Sequence, residues 1–349
     1  MSQYKINNIQ GLRAVAALFV LLAHLGGVGN LYPYVPKFNA GWGVFGVDVF
    51  FVISGFIMFY VTRSNWGDGW TFLLLRANRI YPLWWICLLI SAPWMGAYFV
   101  GRIDEYFSYS ALSFFLLPAL SPSGELYPPL SVGWTLIYEL LFYCIFALLM
   151  LTQRRFISLK TLIVFLILFG IGNILSGKTA IKVLLSNSIY LEFVFGIAIA
   201  EATLSKRLSP SLAFAGAVVG VGMAIIIVIA PKLTPAQFEA CRFIWYGLPA
   251  ACLVLAAVWL ENAKITVSHW LVSLGNASYA IYLTHELFVI NLPPWLHTFS
   301  LFSNGILLVL SLGFLSVLGG FFVYLFVDRP IHHWTSSFLR KQLRPVTSS

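Results

Sequence analysis

The sequence predicts an all-α, polytopic membrane bundle of about ten transmembrane helices with both termini cytoplasmic. Three observations predict it. The 349 residues are 60% hydrophobic and only 9% charged, where a soluble domain carries about a quarter charged residues. Mean hydropathy is +0.88. Aromatic residues reach 17%, as expected where Trp and Tyr gather at the membrane–water boundary.

A helix crossing the hydrocarbon needs about 20 apolar residues. Runs of that kind lie at 12–30, 42–62, 80–100, 131–151, 157–175, 184–203, 211–230, 243–260, 270–291 and 303–327. The first follows Lys5 like a signal peptide, but no small-residue cleavage site follows it and His24 lies inside it. The second holds Ser54 and Gly55, small residues that let helices approach closely. The third opens at Ile80-Tyr81-Pro82, directly after Arg76 and Arg79. The following stretch, 101–130, is acidic and Pro/Ser-rich, with Asp104, Glu105 and Glu125. Within it Ala111–Leu120 is apolar but too short to span, so it is expected to be re-entrant or interfacial. The seventh run carries Gly216-x-x-x-Gly220, a packing pattern. The ninth carries His285 and Glu286, and the last ends at Asp328.

With the N-terminus inside, roughly 15 of the 21 lysines and arginines fall at cytoplasmic positions. Lys37, Arg102, Lys178, Lys182, Lys232 and Arg242 fall on the other side. This asymmetry accounts for the net charge of +9, so no nucleic-acid partner is expected. Cys87, Cys144, Cys241 and Cys252 are scattered in or beside apolar runs without C-x-x-C spacing, and read as buried apolar thiols with neither a disulfide framework nor a zinc site. Only the adjacent His332–His333 pair comes close to ligand spacing, and it lies in the polar tail, so no metal is expected. One membrane domain, 1–335, and a cytoplasmic polar tail, 336–349, account for the chain.

Ionisable groups inside spans are costly and mark functional candidates. Here they are His24, Asp48, Glu139, Glu192, His285 and Glu286. At 1.5 Å per residue all six fall in the middle to outer half of the bilayer, which predicts one shared polar cavity. His24 lies 11 residues beyond Arg13, about three turns plus 20°, so the two share a helix face. Arg76 and Arg79 are three apart, also on one face. Paired guanidiniums grip phosphate, which points to a phosphate-bearing cytosolic cosubstrate. Glu139 and Glu192 are equally readable as partners of tyrosine hydroxyls such as Tyr138 and Tyr143.

These motifs resemble the acyltransferase-3 family of membrane acyltransferases. Asn8-Ile9-Gln10-Gly11-Leu12-Arg13 through His24 resembles its opening R-x10-H motif, with Gln10 where aspartate is common. Gly46 through Phe56, Arg76-x-x-Arg79-Ile80-Tyr81-Pro82, Trp134-Thr135-Leu136-x-x-Glu139 through Phe142-Tyr143, and Ser278 through His285 are similar to successive family elements. Asp328-Arg329-Pro330 stands where the family has E-R-P. The resemblance covers about residues 7–334, and motifs at helix faces and ends carry mechanism only in such an ordered context.

The resemblance implies an O-acyltransferase of the bacterial inner membrane that modifies an exopolysaccharide, lipopolysaccharide or related glycan, free or lipid-linked. Acyl-CoA, with acetyl-CoA expected, would dock its phosphates at Arg76 and Arg79, with Arg13 lining the way. His24 would act as general base on the acceptor hydroxyl or as a covalent acyl carrier. Asp48 or Glu139 would orient its ring, and His285, Glu192 and Tyr143 would lie on the substrate side. The competing class is a proton-coupled transporter that relays protons through the same buried His, Asp and Glu residues.

Overall fold

A computed structural model describes residues 6–96, 103–205, 210–229 and 241–342. Every regular element among them is helical. In chain order they are α1 (Asn7–Leu31), α2 (Phe45–Val61), α3 (Gly69–Gly96), α4 (Ile103–Phe114), α5 (Trp134–Leu149), α6 (Ile157–Ile174), α7 (Ala180–Ser186) and α8 (Glu192–Leu204). They continue with α9 (Pro210–Ile229), α10 (Leu248–Asn262), α11 (His269–Asn291), α12 (Gly305–Val323) and α13 (Arg329–Gln342).

Seven of the described helical segments are long and apolar enough to cross a membrane, and the pair α7 and α8, bent by 43°, makes an eighth if it is one span. This is an integral membrane protein. Two of the expected runs stand apart. α11 has the length, 23 residues, but Ser278, Thr284, His285 and Glu286 lower its apolarity. In α9 an apolar stretch of described residues runs from Phe214 to Met223. Of the charges used to orient the chain, Lys5, Arg102, Lys206, Arg207, Lys232 and Arg344 lie outside the described residues.

α3 corrects one boundary. The helix begins at Gly69, eleven residues before the expected opening at Ile80, and Arg76 and Arg79 lie within it. The Asp68 side chain accepts the Thr71 N–H at 3.0 Å, satisfying one of the amides that a helix start leaves free. The far end of α4 is secured from α3. Trp84 and Trp85 donate their indole N–H groups to the Ser113 and Phe114 carbonyls at 3.1 and 3.0 Å, and the Tyr81 hydroxyl donates to Phe115 at 2.9 Å. Ser113 and Phe114 are the last residues of α4, where a terminating helix leaves carbonyls short of intrahelical donors.

Close helix contacts rest on small residues. A side chain at Gly55 would strike the Phe193 backbone, and one at Gly196 would strike the Val52 carbonyl, so α2 and α8 meet backbone to backbone. Gly220 faces Cys252 and Leu253 in the same manner, joining α9 to α10. Gly275 faces the Gln10 backbone, joining α11 to α1. Ser54 takes a polar role instead, described below. The four cysteines are free, but only Cys87 is buried as expected; Cys144 is exposed and Cys241 and Cys252 are half-buried, and no group of metal-ligating residues occurs among the described residues. α13 runs across the boundary expected at 335, so the start of the polar tail is helical; residues 343–349 lie outside the described part.

Candidate active site

Five helices enclose a cavity of about 170 Å³. α1 contributes Arg13, α2 contributes Phe50 and Ser54, and α3 contributes Arg76 and Arg79. α5 supplies Thr135, Glu139 and Tyr143, and α11 supplies Tyr279 and Tyr282. Glu139 and Tyr143 are one helical turn apart, and the Tyr143 hydroxyl donates to Glu139 Oε1 at 2.5 Å. The Ser54 hydroxyl donates to the same oxygen at 2.7 Å. One carboxylate thus ties α2 to α5 and faces the arginines.

The three guanidiniums are not equivalent. Arg79 Nη1 donates to both oxygens of Asp328, at 2.6 and 2.8 Å, and its guanidinium lies 4.8 Å over the Tyr279 ring. Arg76 lies 5.9 Å over Phe72 and its buried Nε has no partner. Among the described residues neither Arg13 nor Arg76 forms an ion pair. Three guanidiniums therefore stand against two carboxylates, Asp328 and Glu139, around one small cavity. A surplus positive charge in a low-dielectric setting is one that an anion can balance.

His24 is not on the wall of that cavity. Its ring lies 4.7 Å, centroid to centroid, from the ring of His285, the two planes at 77°. His24 Nδ1 is 3.0 Å from the Val20 carbonyl and His285 Nδ1 is 3.2 Å from the Ile281 carbonyl. A carbonyl only accepts, so Nδ1 carries a proton in each ring, and the tautomer that fits this geometry presents a lone pair at Nε2. Nε2 of His285 is buried without a partner, whereas His24 is half-buried and accessible. The backbone, rather than Asp48 or Glu139, orients the His24 ring.

The six ionisable groups expected to share one cavity separate into distinct clusters, because equal depth along a helix does not fix which neighbour it faces. His24 and His285 pair. Glu139 faces the arginines. Asp48, wholly buried, receives Arg242 Nε and Nη2 at 2.7 and 2.8 Å. Glu192, also wholly buried, lies in interaction range of Asp48 and Arg242, and no donor reaches either of its oxygens. Glu286 accepts from the Ser131 hydroxyl at 2.6 Å and the Val132 N–H at 3.1 Å, so it holds the 3-10 turn Ser131–Gly133 that leads into α5.

Three residues escaped the sequence reading. Arg242 is counted there as an outer-loop charge, yet its side chain is only 11% exposed. A buried aspartate demands a cation, and that demand was the available signal. Asp328 reads as the end of the last span, with nothing to show that it neutralises Arg79, 249 positions away. Tyr282 looks like another aromatic of an apolar helix.

The acyltransferase domain family matches residues 6–325 of the chain. This protein belongs to the acyltransferase-3 family. It is an acyltransferase of the membrane. It is similar to the exopolysaccharide production protein ExoZ of Rhizobium meliloti (strain 1021), with 33% identity over 245 residues covering 70% of this chain and 75% of that protein. No solved structure matches it.

Proposed function

We propose that this acyltransferase moves an acyl group, acetyl being the expected one, from cytosolic acyl-CoA to a hydroxyl of an exported polysaccharide. The similarity to a protein of exopolysaccharide production supports the acceptor class. The observation that carries the reading is the cavity in which neither Arg13 nor Arg76 forms an ion pair, with Arg13 on the same face of α1 as His24. The phosphates of CoA supply the anion that this charge surplus lacks. Arg79, already held by Asp328, serves as scaffold for its neighbour Arg76.

At the histidine pair, His24 Nε2 accepts the proton of the acceptor hydroxyl as the oxygen attacks the thioester carbonyl. The C–O bond forms, the C–S bond breaks, and the proton passes to the CoA thiolate, leaving free CoA and an ester. The Nδ1–H of His24 stays on the Val20 carbonyl throughout, which keeps the ring aimed. The lysine and arginine distribution supports cytoplasmic termini, an orientation in which the arginines face the side where acyl-CoA is made, as a bacterial inner membrane requires. The acceptor, lipid-linked or free, approaches from the other end.

The test is release of CoA from acetyl-CoA by purified protein in nanodiscs, with and without a candidate glycan, wild type beside His24→Ala. Glycan-dependent release that disappears in a folded variant supports the reading. Equal release by both proteins removes His24 from the chemistry, and no release with any acyl donor favours a proton-coupled transporter.

A further inference from the structure

The cluster around Arg242 carries more acid than its one guanidinium balances. Asp48 receives both Arg242 bonds, at 2.7 and 2.8 Å, and is wholly buried. Glu192 is wholly buried as well and lies in interaction range of Asp48. Neither of its oxygens has a hydrogen-bond donor, and among the described residues no cation forms an ion pair with it. Two carboxyls therefore share one arginine inside the bundle. None of the three residues lines the arginine cavity.

The surroundings hold the two acids together. Asp48 lies on α2 and Glu192 opens α8. One turn farther along α8, a side chain at Gly196 would strike the Val52 carbonyl, and one at Gly55 would strike the Phe193 backbone. Helices in backbone contact have no slack with which to draw their acids apart. On the third side, Phe243–Gly247 form a π turn directly after Arg242, a rare element often found at functional sites. It ends at Gly247, where a Cβ would come within 2.8 Å of Glu192 Cγ and 3.2 Å of its Cδ. The missing side chain is what leaves room for the carboxyl. The remaining titratable neighbour is Tyr246, which adjoins Asp48 and Arg242.

Charge decides the state of Glu192. Ionised, it would set a second negative charge against one guanidinium, away from water and without a donor, which is a costly arrangement. Protonated, it loses that charge and supplies the donor that the cluster lacks. Asp48 has capacity to accept it, because a carboxylate offers about four lone-pair sites and Arg242 occupies two of them.

We propose that Asp48 and Glu192 form a proton-binding site, in which Glu192 carries one proton and donates it in a hydrogen bond to Asp48. The chain Glu192–Asp48–Arg242 then ties α8, α2 and the turn before α10 to one another. The ligand of this site is a single proton, and the site is separate from the arginines of the cavity. The proposal stands independently of the acyl-donor reading.

The experiment is infrared spectroscopy of full-length protein in nanodiscs at neutral pH, in light and heavy water, on wild type, Glu192→Gln and Asp48→Asn. A protonated carboxylic acid has a carbonyl stretch distinct from those of carboxylates and amides, and it moves to lower frequency in heavy water. The difference between wild type and Glu192→Gln is expected to show one such acid band. Asp48→Asn keeps Glu192 but frees Arg242 to pair with it, so the acid band is expected to disappear and a carboxylate band to take its place. A carboxylate band for Glu192 in the wild type overturns the proposal. An acid band that survives in Asp48→Asn overturns the sharing, since burial alone would then hold the proton. If Glu192→Gln does not fold, the difference between wild type and Asp48→Asn carries the test, and absence of the acid band from it overturns the site.

Discussion

The Asp48–Arg242 pair offers the sharpest test of the packing described above. Both side chains are buried, 0% and 11% exposed, and two charge-assisted bonds of 2.7 and 2.8 Å join them in fork geometry. Arg242→Ala removes both bonds and leaves Asp48 beside Glu192, a carboxyl that already lacks a donor. Breaking a buried pair from one side costs about 3–5 kcal/mol in soluble proteins. In a bilayer the unfolded helices find other partners, which lowers such values, so about 3 kcal/mol is expected. The double variant Asp48→Leu with Arg242→Met removes both charges and should recover most of that loss, since hydrophobic replacement of a whole buried pair is often neutral. The assay is reversible unfolding by SDS in mixed micelles, read by circular dichroism, with all four corners of the cycle measured. A single variant that loses less than about 1 kcal/mol, or a double no more stable than the weaker single, would refute the claim that this pair couples α2 to the start of the α10 segment.

Three further outcomes follow from the same geometry. Arg76→Ala should weaken CoA binding by about 10–100-fold, the worth of one or two charge-assisted contacts, with little change in folding; unchanged affinity by calorimetry contradicts the donor site. Arg79→Ala should instead lower stability, because it strands buried Asp328, and Arg79→Ala with Asp328→Ala should restore part of the loss; a destabilisation that the second change does not relieve argues against the pairing. Glu286→Ala should cost about 1–3 kcal/mol by leaving the buried Val132 N–H and Ser131 hydroxyl without their acceptor, seen as a lower melting temperature with CoA binding retained, and no shift at all speaks against this tie.

The helical membrane architecture was legible because length and apolarity settle it residue by residue, as the runs at 42–62 and 157–175 illustrate. The start of α3 was not, since Trp70 through Arg79 mixes apolar and basic residues and the deciding feature is a cap at Asp68. The arginine–glutamate cavity was legible in part: spacing puts Arg76 and Arg79 on one face and Glu139 and Tyr143 on another. Which helices face each other is a long-range property, and spacing within one helix is silent about it. Hence Asp48 and Glu139, equal candidates by depth, prove to serve different clusters. The two histidines show the converse, because 261 positions separate them and only the contact of α1 with α11 brings their rings together.

The bond between Arg79 and Asp328 spans 249 positions, and that separation bears on biogenesis. Chains emerge from the ribosome N-terminus first, so α3 is made long before its partner exists. Until the residues near 328 are inserted, Arg79 is one more uncompensated cation in the membrane, beside Arg13 and Arg76. The arginine cavity acquires its final charge balance only when the last span docks. Synthesis that stalls before that point leaves a bundle in which Arg79 lacks its carboxylate, so completion of the chain is itself the step that balances this cluster.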